Sequence, residues 1–285
     1  MWWCLGLAGL SLVGWGALSA RRVLYPERQP VPAPHALPSY TGFALTAPDG
    51  VSFDVWLLET PSPRARVILY HGYYANRLQV LDIAQGLRER GYETILVELR
   101  GHGNRHGPCT LGIQETEETG IVLRWLRARN QAHPIPVGVL GLSMGAAVAC
   151  QVAARHPEIQ AVVADSIYSR FFPVLQRAIW RRYHLPAFPW AYVTWWSLQA
   201  MLRSRLALLD PAALAPRLHQ PLLAIQGGED RRVVPILGRE FYLRWAGEKQ
   251  RWFEPQVDHV GMFAHHPQAY CDRVASFFDR VLRGG

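Results

Sequence analysis

The sequence feature that most constrains the fold is a single serine between two glycines, Gly141-Leu-Ser-Met-Gly145. The apolar run 136–141 before Ser143 predicts a buried strand, and the alanine-rich run 144–155 after it predicts a helix. Glycines on both sides let strand and helix approach closely around a sharp, strained turn. The pattern predicts a nucleophilic serine on a strand-to-helix turn, and the alternative is a glycine-rich turn with an incidental serine.

Strand-like and helix-like segments alternate along the chain after residue 40. Residues 41–59 predict a hairpin that turns at Pro48-Asp49-Gly50. Further strands are predicted at 66–70, 93–97, 136–141, 159–164, 222–226 and 251–253, and helices at 80–90, 113–129, 144–155, 236–246 and 268–282. This alternation predicts an α/β protein with a mostly parallel sheet, helices on both faces and the hairpin at one antiparallel edge.

The alternation stops at 167–209, a segment crowded with aromatic residues and arginines. Trp195, Leu198, Met201 and Leu202 recur at helical spacing. An insertion this apolar must cover its face on the main body, on a lipid surface or over a substrate cavity. We therefore predict a helical cap.

The first segment, residues 1–22, has no charge before Arg21 and Arg22. Its length suits a helix across the roughly 30 Å hydrocarbon layer, so we predict a single-pass membrane anchor. Arginines on its C-terminal side favour a cytoplasmic catalytic domain. The alternative is a signal segment, which after cleavage would leave a secreted or periplasmic protein. Five prolines in 23–39 predict a stiff linker to the domain at 40–285.

Composition and residue spacing argue against nucleic-acid binding, a disulfide framework and a metal site. The net charge of +8 comes from arginines spread along the chain, with Lys249 the only lysine, so no nucleic-acid partner is expected. The four cysteines show no C-x-x-C spacing, which argues against a disulfide framework or a zinc ribbon. His102, His106 and Cys109 share one loop but lack further ligands at a supporting spacing, so no metal site is expected there.

Groups able to activate Ser143 are expected where the parallel strands end, because ligands bind beyond their carboxyl ends. A serine needs an imidazole base, usually oriented by a carboxylate. His259, after the last strand, is the candidate base. Asp230, after the strand at 222–226, is the candidate acid, and Asp165 at the end of the preceding strand is its rival.

Two backbone N–H groups are needed to hold the oxyanion that forms when a carbonyl is attacked. Met144, directly after the serine, supplies one of them. Tyr73 is the candidate for the second, because it follows Gly72 in the loop after the strand ending at Tyr70. No metal or organic cofactor is required by this chemistry.

Taken together, the motifs resemble those of the α/β-hydrolase superfamily, in its capped esterase, lipase and serine aminopeptidase-like part. The resemblance runs from about residue 40 to the C-terminus and rests on these segments: Tyr70-His71-Gly72, Leu99-Arg-Gly-His-Gly103, Gly141-Leu-Ser-Met-Gly145, Gly227-Gly-Glu-Asp230 with Val234-Pro235, and His259 before a helix. It implies an eight-stranded α/β-hydrolase fold with a cap after strand 6 and a triad of Ser143, Asp230 and His259. Arg21-Arg-Val-Leu-Tyr-Pro26 also resembles membrane-tethered relatives. Glu98 and Gln226 depart from the usual aspartate and histidine of this superfamily.

The expected function is hydrolysis of a carboxylic ester through an acyl-enzyme. The aromatic cap favours a small substrate with an apolar group, and the predicted anchor favours a lipid-derived one. Serine aminopeptidase-like cleavage of an amide and acyl transfer to another acceptor are alternatives that the same triad permits. A catalytically silent hydrolase-like protein that binds a ligand or partner is the alternative outside enzymes.

Overall fold

The computed structural model describes residues 2–32, 40–129 and 135–282. Its strands are β1 Thr41–Thr46, β2 Ser52–Leu58, β3 Arg66–Tyr70, β4 Glu93–Val97, β5 Val137–Leu142, β6 Ile159–Asp165, β7 Leu222–Gly227 and β8 Lys249–Glu254. Its α-helices are α1 Trp2–Leu24, α2 Leu81–Glu89, α3 Ile113–Arg129, α4 Met144–Arg155, α5 Phe171–Tyr183, α6 Ala187–Leu202, α7 Pro211–Leu214, α8 Pro235–Arg244, α9 Met262–His265 and α10 Pro267–Val281.

The strands form one sheet in the order β1-β2-β4-β3-β5-β6-β7-β8. β1 pairs with β2, and β2 with β4, in antiparallel orientation. The strands β3 to β8 all run parallel to one another. The predicted mostly parallel sheet with an antiparallel hairpin at one edge is confirmed. β5 lies near the centre of the sheet, so its carboxyl end is flanked by those of β3 and β6.

Side chains of one strand separate into two cores because successive residues point to opposite faces. On β3, Ile68 and Tyr70 pack in the core that includes α3 and α4, whereas Val67 and Leu69 pack in the core that includes α2 and α10. The helices thus cover both faces. The first of these cores continues into α5, α6 and the end of α1.

The prediction of a membrane-spanning segment at residues 1–22 is wrong. Within the described ranges no helix, α1 included, is long and apolar enough to cross a bilayer. Side chains in the second half of this helix contact helix α6 instead, as Trp15 and Ser19 show. The membrane localisation that rested on this segment is wrong with it, and the membrane partner is left without support.

Helix α1 instead packs against α6 of the cap. A Cβ at Gly16 would lie 2.9 Å from the Val193 carbonyl oxygen, so this crossing requires glycine. One turn further on, the buried hydroxyls of Ser19 and Thr194 share a hydrogen bond of 2.6 Å. The ring of Trp15 meets that of Trp190 edge-on at 5.2 Å. Trp15, which we expected to face lipid, therefore contacts protein.

The segment 23–39, predicted as a linker, is described only as far as Pro32; Pro34 and Pro38 lie outside the described residues. The described part runs along the main body. Val31 exchanges two hydrogen bonds with the Asn104 side chain, both at 3.1 Å. Asn76 donates another to the Gln29 carbonyl at 2.9 Å.

Candidate active site

Ser143 occupies the turn between β5 and α4, with φ 54° and ψ −113°. A positive φ is unfavourable for a residue with a side chain, by about 1–3 kcal/mol, and needs surrounding support. The support includes a hydrogen bond from Ser143 N to the Asp165 carbonyl at 2.8 Å. Gly145 is required here as well, because a Cβ would lie 2.3 Å from the Tyr70 carbonyl oxygen. The predicted strand–serine–helix turn is present.

Three predicted residues from different strand ends meet in one line of hydrogen bonds. His259 Nε2 lies 2.9 Å from Ser143 Oγ, and His259 Nδ1 lies 2.7 Å from Asp230 Oδ2. Asp230 is fully buried and the His259 side chain is 11% exposed. Since a carboxylate only accepts, Nδ1 of a neutral His259 carries the proton and Nε2 is free to accept one from the serine.

The Asp230 carboxylate is fixed by three further donors. Its Oδ1 accepts from the N–H groups of Arg232 at 2.9 Å and Val233 at 2.8 Å. Its Oδ2, which faces His259, also accepts from Gln226 Nε2 at 3.2 Å. Gln226, noted in the sequence only as a departure from related proteins, is therefore a direct partner of the acid.

The loop after β3 lies beside the serine. A Cβ built on Gly72 would be 3.6 Å from the Ser143 Cβ. The Gly72 N–H donates a hydrogen bond of 2.7 Å to Gln79 Oε1, which fixes the loop. Among the described residues, the N–H groups of Tyr73 and Met144 donate no hydrogen bond. Both amides predicted to stabilise an oxyanion are thus next to the serine region and uncommitted to partners in this part of the chain.

A buried ionic cluster lies behind this loop. His71 Nε2 is 2.9 Å from Glu98 Oε1, and Arg77 Nε is 3.0 Å from Glu98 Oε2. Burial raises the pKa of the Glu98 carboxyl, but the hydrogen bonds and charges of His71 and Arg77 outweigh it and lower the pKa below its usual value. Glu98, a departure from the superfamily pattern in the sequence, thus contacts both His71 and Arg77 behind the loop.

The rival acid Asp165 makes no hydrogen bond to His259 in the described structure. Its carboxylate accepts from Ser166 Oγ at 2.9 Å and from the Tyr270 hydroxyl at 3.1 Å. Burial raises the pKa of Asp165 to about 6. Ser166 Oγ in turn accepts from the Val260 N–H at 3.0 Å, so Asp165 supports the loop that carries His259 without touching the imidazole. The geometry favours Asp230 as the histidine's partner.

The insertion predicted as a cap, 167–209, contains α5 and α6 and adjoins this site. Arg177 Nε donates to the carbonyl of Arg231 at 2.7 Å, directly after the candidate acid. Tyr168 packs with Val233 on the same loop. Phe172 and Trp195 meet edge-on at 5.2 Å between the two helices. The apolar insertion is therefore attached to the loop that bears Asp230.

Comparisons with known proteins agree with this architecture. A family model described as "Serine aminopeptidase, S33" matches residues 61–166, which include Ser143 but neither Asp230 nor His259. The esterase Pf2001 of Pyrococcus furiosus superposes with a TM-score of 0.73 at 24% identity, over 92% of this chain and 98% of that protein. The chain has the α/β-hydrolase fold. The acylaminoacyl peptidase of Pyrococcus horikoshii shares it, with a TM-score of 0.67 at 15% identity over 87% of this chain and 42% of that one.

Two sequence relatives are similar to parts of this chain. The uncharacterized protein YqkD of Bacillus subtilis is 23% identical over 218 residues, 75% of this chain and 71% of that protein. A monoacylglycerol lipase of Mycolicibacterium smegmatis is 33% identical over 109 residues, 38% of each chain. Together with the fold, these matches support a hydrolase of the α/β-hydrolase superfamily.

Proposed function

We propose that the protein is a serine hydrolase that cleaves a carboxylic ester with an apolar acyl group. The observation that carries the proposal is the continuous line from Ser143 Oγ through His259 to Asp230, with contacts of 2.9 and 2.7 Å. Such a line converts a weakly nucleophilic hydroxyl into one that can attack a carbonyl carbon. In this proposal Ser143 is the nucleophile, His259 the base and Asp230 the orienting acid.

Acylation begins when Ser143 Oγ bonds to the ester carbonyl carbon and its proton passes to His259 Nε2. The carbonyl oxygen takes the negative charge and accepts hydrogen bonds from the Tyr73 and Met144 N–H groups. Collapse of this intermediate breaks the bond to the alcohol oxygen, which takes the proton from His259. The alcohol leaves and the acyl group remains on Ser143.

Deacylation repeats these steps with water as the nucleophile. His259 takes a proton from water, the oxygen attacks the acyl carbon, and the proton returns to Ser143 Oγ as the carboxylic acid is released. Asp230 stays ionised and favours the imidazolium that forms twice in the cycle. Every atom transferred is supplied by the substrate, by water or by the side chains of Ser143 and His259.

The class of substrate is inferred from the cap and the relatives. Phe172 and Trp195 of the two cap helices pack on each other, and Phe171 of α5 packs on Tyr168 and Val233 at the acid loop, so we infer that an apolar acyl group is the better fit beneath the cap. The lipase and esterase among the similar proteins act, by their names, on esters. Amide cleavage, as in the acylaminoacyl peptidase, is the second candidate because the family model that matches is that of a serine aminopeptidase.

A substrate panel tests the proposal. Purified full-length protein is assayed with p-nitrophenyl esters of increasing acyl length, a glycerol monoester and aminoacyl p-nitroanilides. We expect turnover of the esters, rising from acetate to longer acyl chains, and slower turnover of the anilides. Faster turnover of the anilides would replace the esterase proposal with the peptidase one.

Variants at two serines complete the test. Ser143→Ala is expected to lower kcat by about 10⁴-fold or more, because the nucleophile is lost. Ser52→Ala, on β2 at the distant edge of the sheet, is the matched control and should keep full activity. Equal activity of the wild type and Ser143→Ala would contradict the proposal, as would a complete lack of turnover by a folded wild-type protein.

A further inference from the structure

The carboxyl end of helix α1 is hydrogen-bonded to the loop that carries Tyr73. The Tyr73 hydroxyl donates to the Val23 carbonyl at 2.8 Å and lies 3.3 Å from the Arg22 carbonyl. The last carbonyls of a helix lack partners within it, so a hydroxyl is a suitable donor there. A second contact joins the same helix end to the next loop, from Cys109 N to the Leu24 carbonyl at 2.7 Å.

The body of the same helix is attached to the cap. The Ser19 and Thr194 hydroxyls share a buried hydrogen bond of 2.6 Å, and the close approach at Gly16 leaves no room for a Cβ. Arg22 Nη1 donates to the Tyr183 hydroxyl of α5 at 2.7 Å. Helix α1 therefore contacts both cap helices on one side and the Tyr73 loop at its end.

We propose that α1 couples the cap to the oxyanion loop, with the Tyr73 hydroxyl as the positioning group. The rigid phenol ring links the Val23 carbonyl to the Tyr73 backbone. The position of α1 on the cap therefore determines the position of the Tyr73 N–H group relative to Ser143. This inference rests on the proposed function, because it requires the Tyr73 amide to bind the oxyanion. A shift of about 1 Å in such a donor is enough to slow catalysis strongly.

Removal of the hydroxyl tests the link. Tyr73→Phe keeps the ring and backbone, so we expect kcat for p-nitrophenyl butyrate to fall about tenfold, less than the loss of a whole oxyanion donor, with KM changed by less than about twofold. Tyr25→Phe is the matched control, because Tyr25 directly follows α1 and its side chain is 52% exposed, and it should retain wild-type kcat.

Rates are expressed per active site, counted by titration with a fluorophosphonate. A purely structural effect of Tyr73→Phe would lower the melting temperature or the number of titrated sites but leave kcat per site unchanged, and that result would overturn the inference. It would leave the proposed function intact. Failure of Ser143 to react with the probe would instead refute the proposed function, and this inference with it.

A double-mutant cycle tests the coupling to the cap. Gly16→Ala presses a methyl group against the Val193 carbonyl, whereas the control Gly14→Ala meets nothing within 4 Å. We expect Gly16→Ala to lower kcat about threefold in the wild type and to have little further effect in Tyr73→Phe, because both act through one hydrogen bond. Independent losses in the two backgrounds, or no loss from Gly16→Ala, would overturn the coupling. If Gly16→Ala does not fold, Thr194→Val takes its place in the same cycle, with the same expectations.

Discussion

Replacement of Asp230 by asparagine should reverse the proton arrangement of His259 with little change in shape. Oδ1 of Asp230 accepts from the N–H groups of Arg232 and Val233 at 2.9 and 2.8 Å, so the asparagine carbonyl oxygen must take that position. Its NH₂ group then lies where Oδ2 is now, 2.7 Å from His259 Nδ1. Because an amide NH₂ only donates, Nδ1 becomes the acceptor and the proton moves to Nε2.

The protonated Nε2 then points at Ser143 Oγ, 2.9 Å away, and cannot remove its proton. The corresponding change in serine proteases lowers kcat about 10⁴-fold, and we expect a loss of the same order here. Gln226 Nε2, 3.2 Å from the same position, would face a second donor. This clash of two donors should lower the free energy of unfolding by about 1–2 kcal/mol.

The assay measures kcat for p-nitrophenyl butyrate, with the melting temperature followed by circular dichroism. Asp165→Asn is the matched control, because Asp165 is equally buried but makes no hydrogen bond to His259 in the described structure. We expect the control to stay within about tenfold of the wild-type kcat. Near-normal activity of Asp230→Asn, or an equal loss in Asp165→Asn, would refute the assignment and move the acid's role to Asp165.

Three further substitutions test the surroundings of the site. Burial raises the pKa of Asp165 from 3.8 to about 6, so the folded protein holds a proton that the unfolded chain releases between those pH values. The wild-type free energy of unfolding should therefore fall by about 3 kcal/mol as pH rises through that window, relative to Asp165→Asn, and parallel pH curves would contradict this. Gly145→Ala places a Cβ 2.3 Å from the Tyr70 carbonyl oxygen and should lower the free energy of unfolding by about 3 kcal/mol or more. The loss would be measured as a lower urea midpoint, and an unchanged midpoint would disprove the clash. Glu98→Gln leaves the buried Arg77 guanidinium with only the exposed Asp54 carboxylate, 3.7 Å away, and should cost about 3 kcal/mol; a urea midpoint equal to that of the wild type would count against the buried ion pair.

The sheet could be predicted from the sequence because each element carries its own pattern. The apolar run 136–141 and the alanine-rich run 144–155 are complete signals within about twenty residues, and the alternation of such strand and helix signals along the chain leaves few possible arrangements of the sheet. Asp230 and His259 could be singled out for a related reason. Parallel strands end at one edge of the sheet, so polar residues after different strands can meet there.

The place of helix α1 could not be predicted in this way. An apolar segment looks the same whether it faces lipid or an aromatic protein surface, and the fit of Gly16 against Val193 depends on a helix about 180 residues further along the chain. Gln226 and Ser166 were missed as partners of the site for a similar cause. Their hydrogen bonds form only where loops after different strands come together, and the local sequence does not predict the course of those loops.

The most direct test of the central claim, that Ser143 is the nucleophile, is the site of covalent labelling by a fluorophosphonate. Intact mass and peptide mapping of the labelled full-length protein should show a single adduct, located on Ser143. The adduct should be absent from Ser143→Ala and should form more slowly in Asp230→Asn, because the histidine can no longer act as base. An adduct on another residue, equal labelling of Ser143→Ala, or no adduct on the folded wild type would contradict the claim.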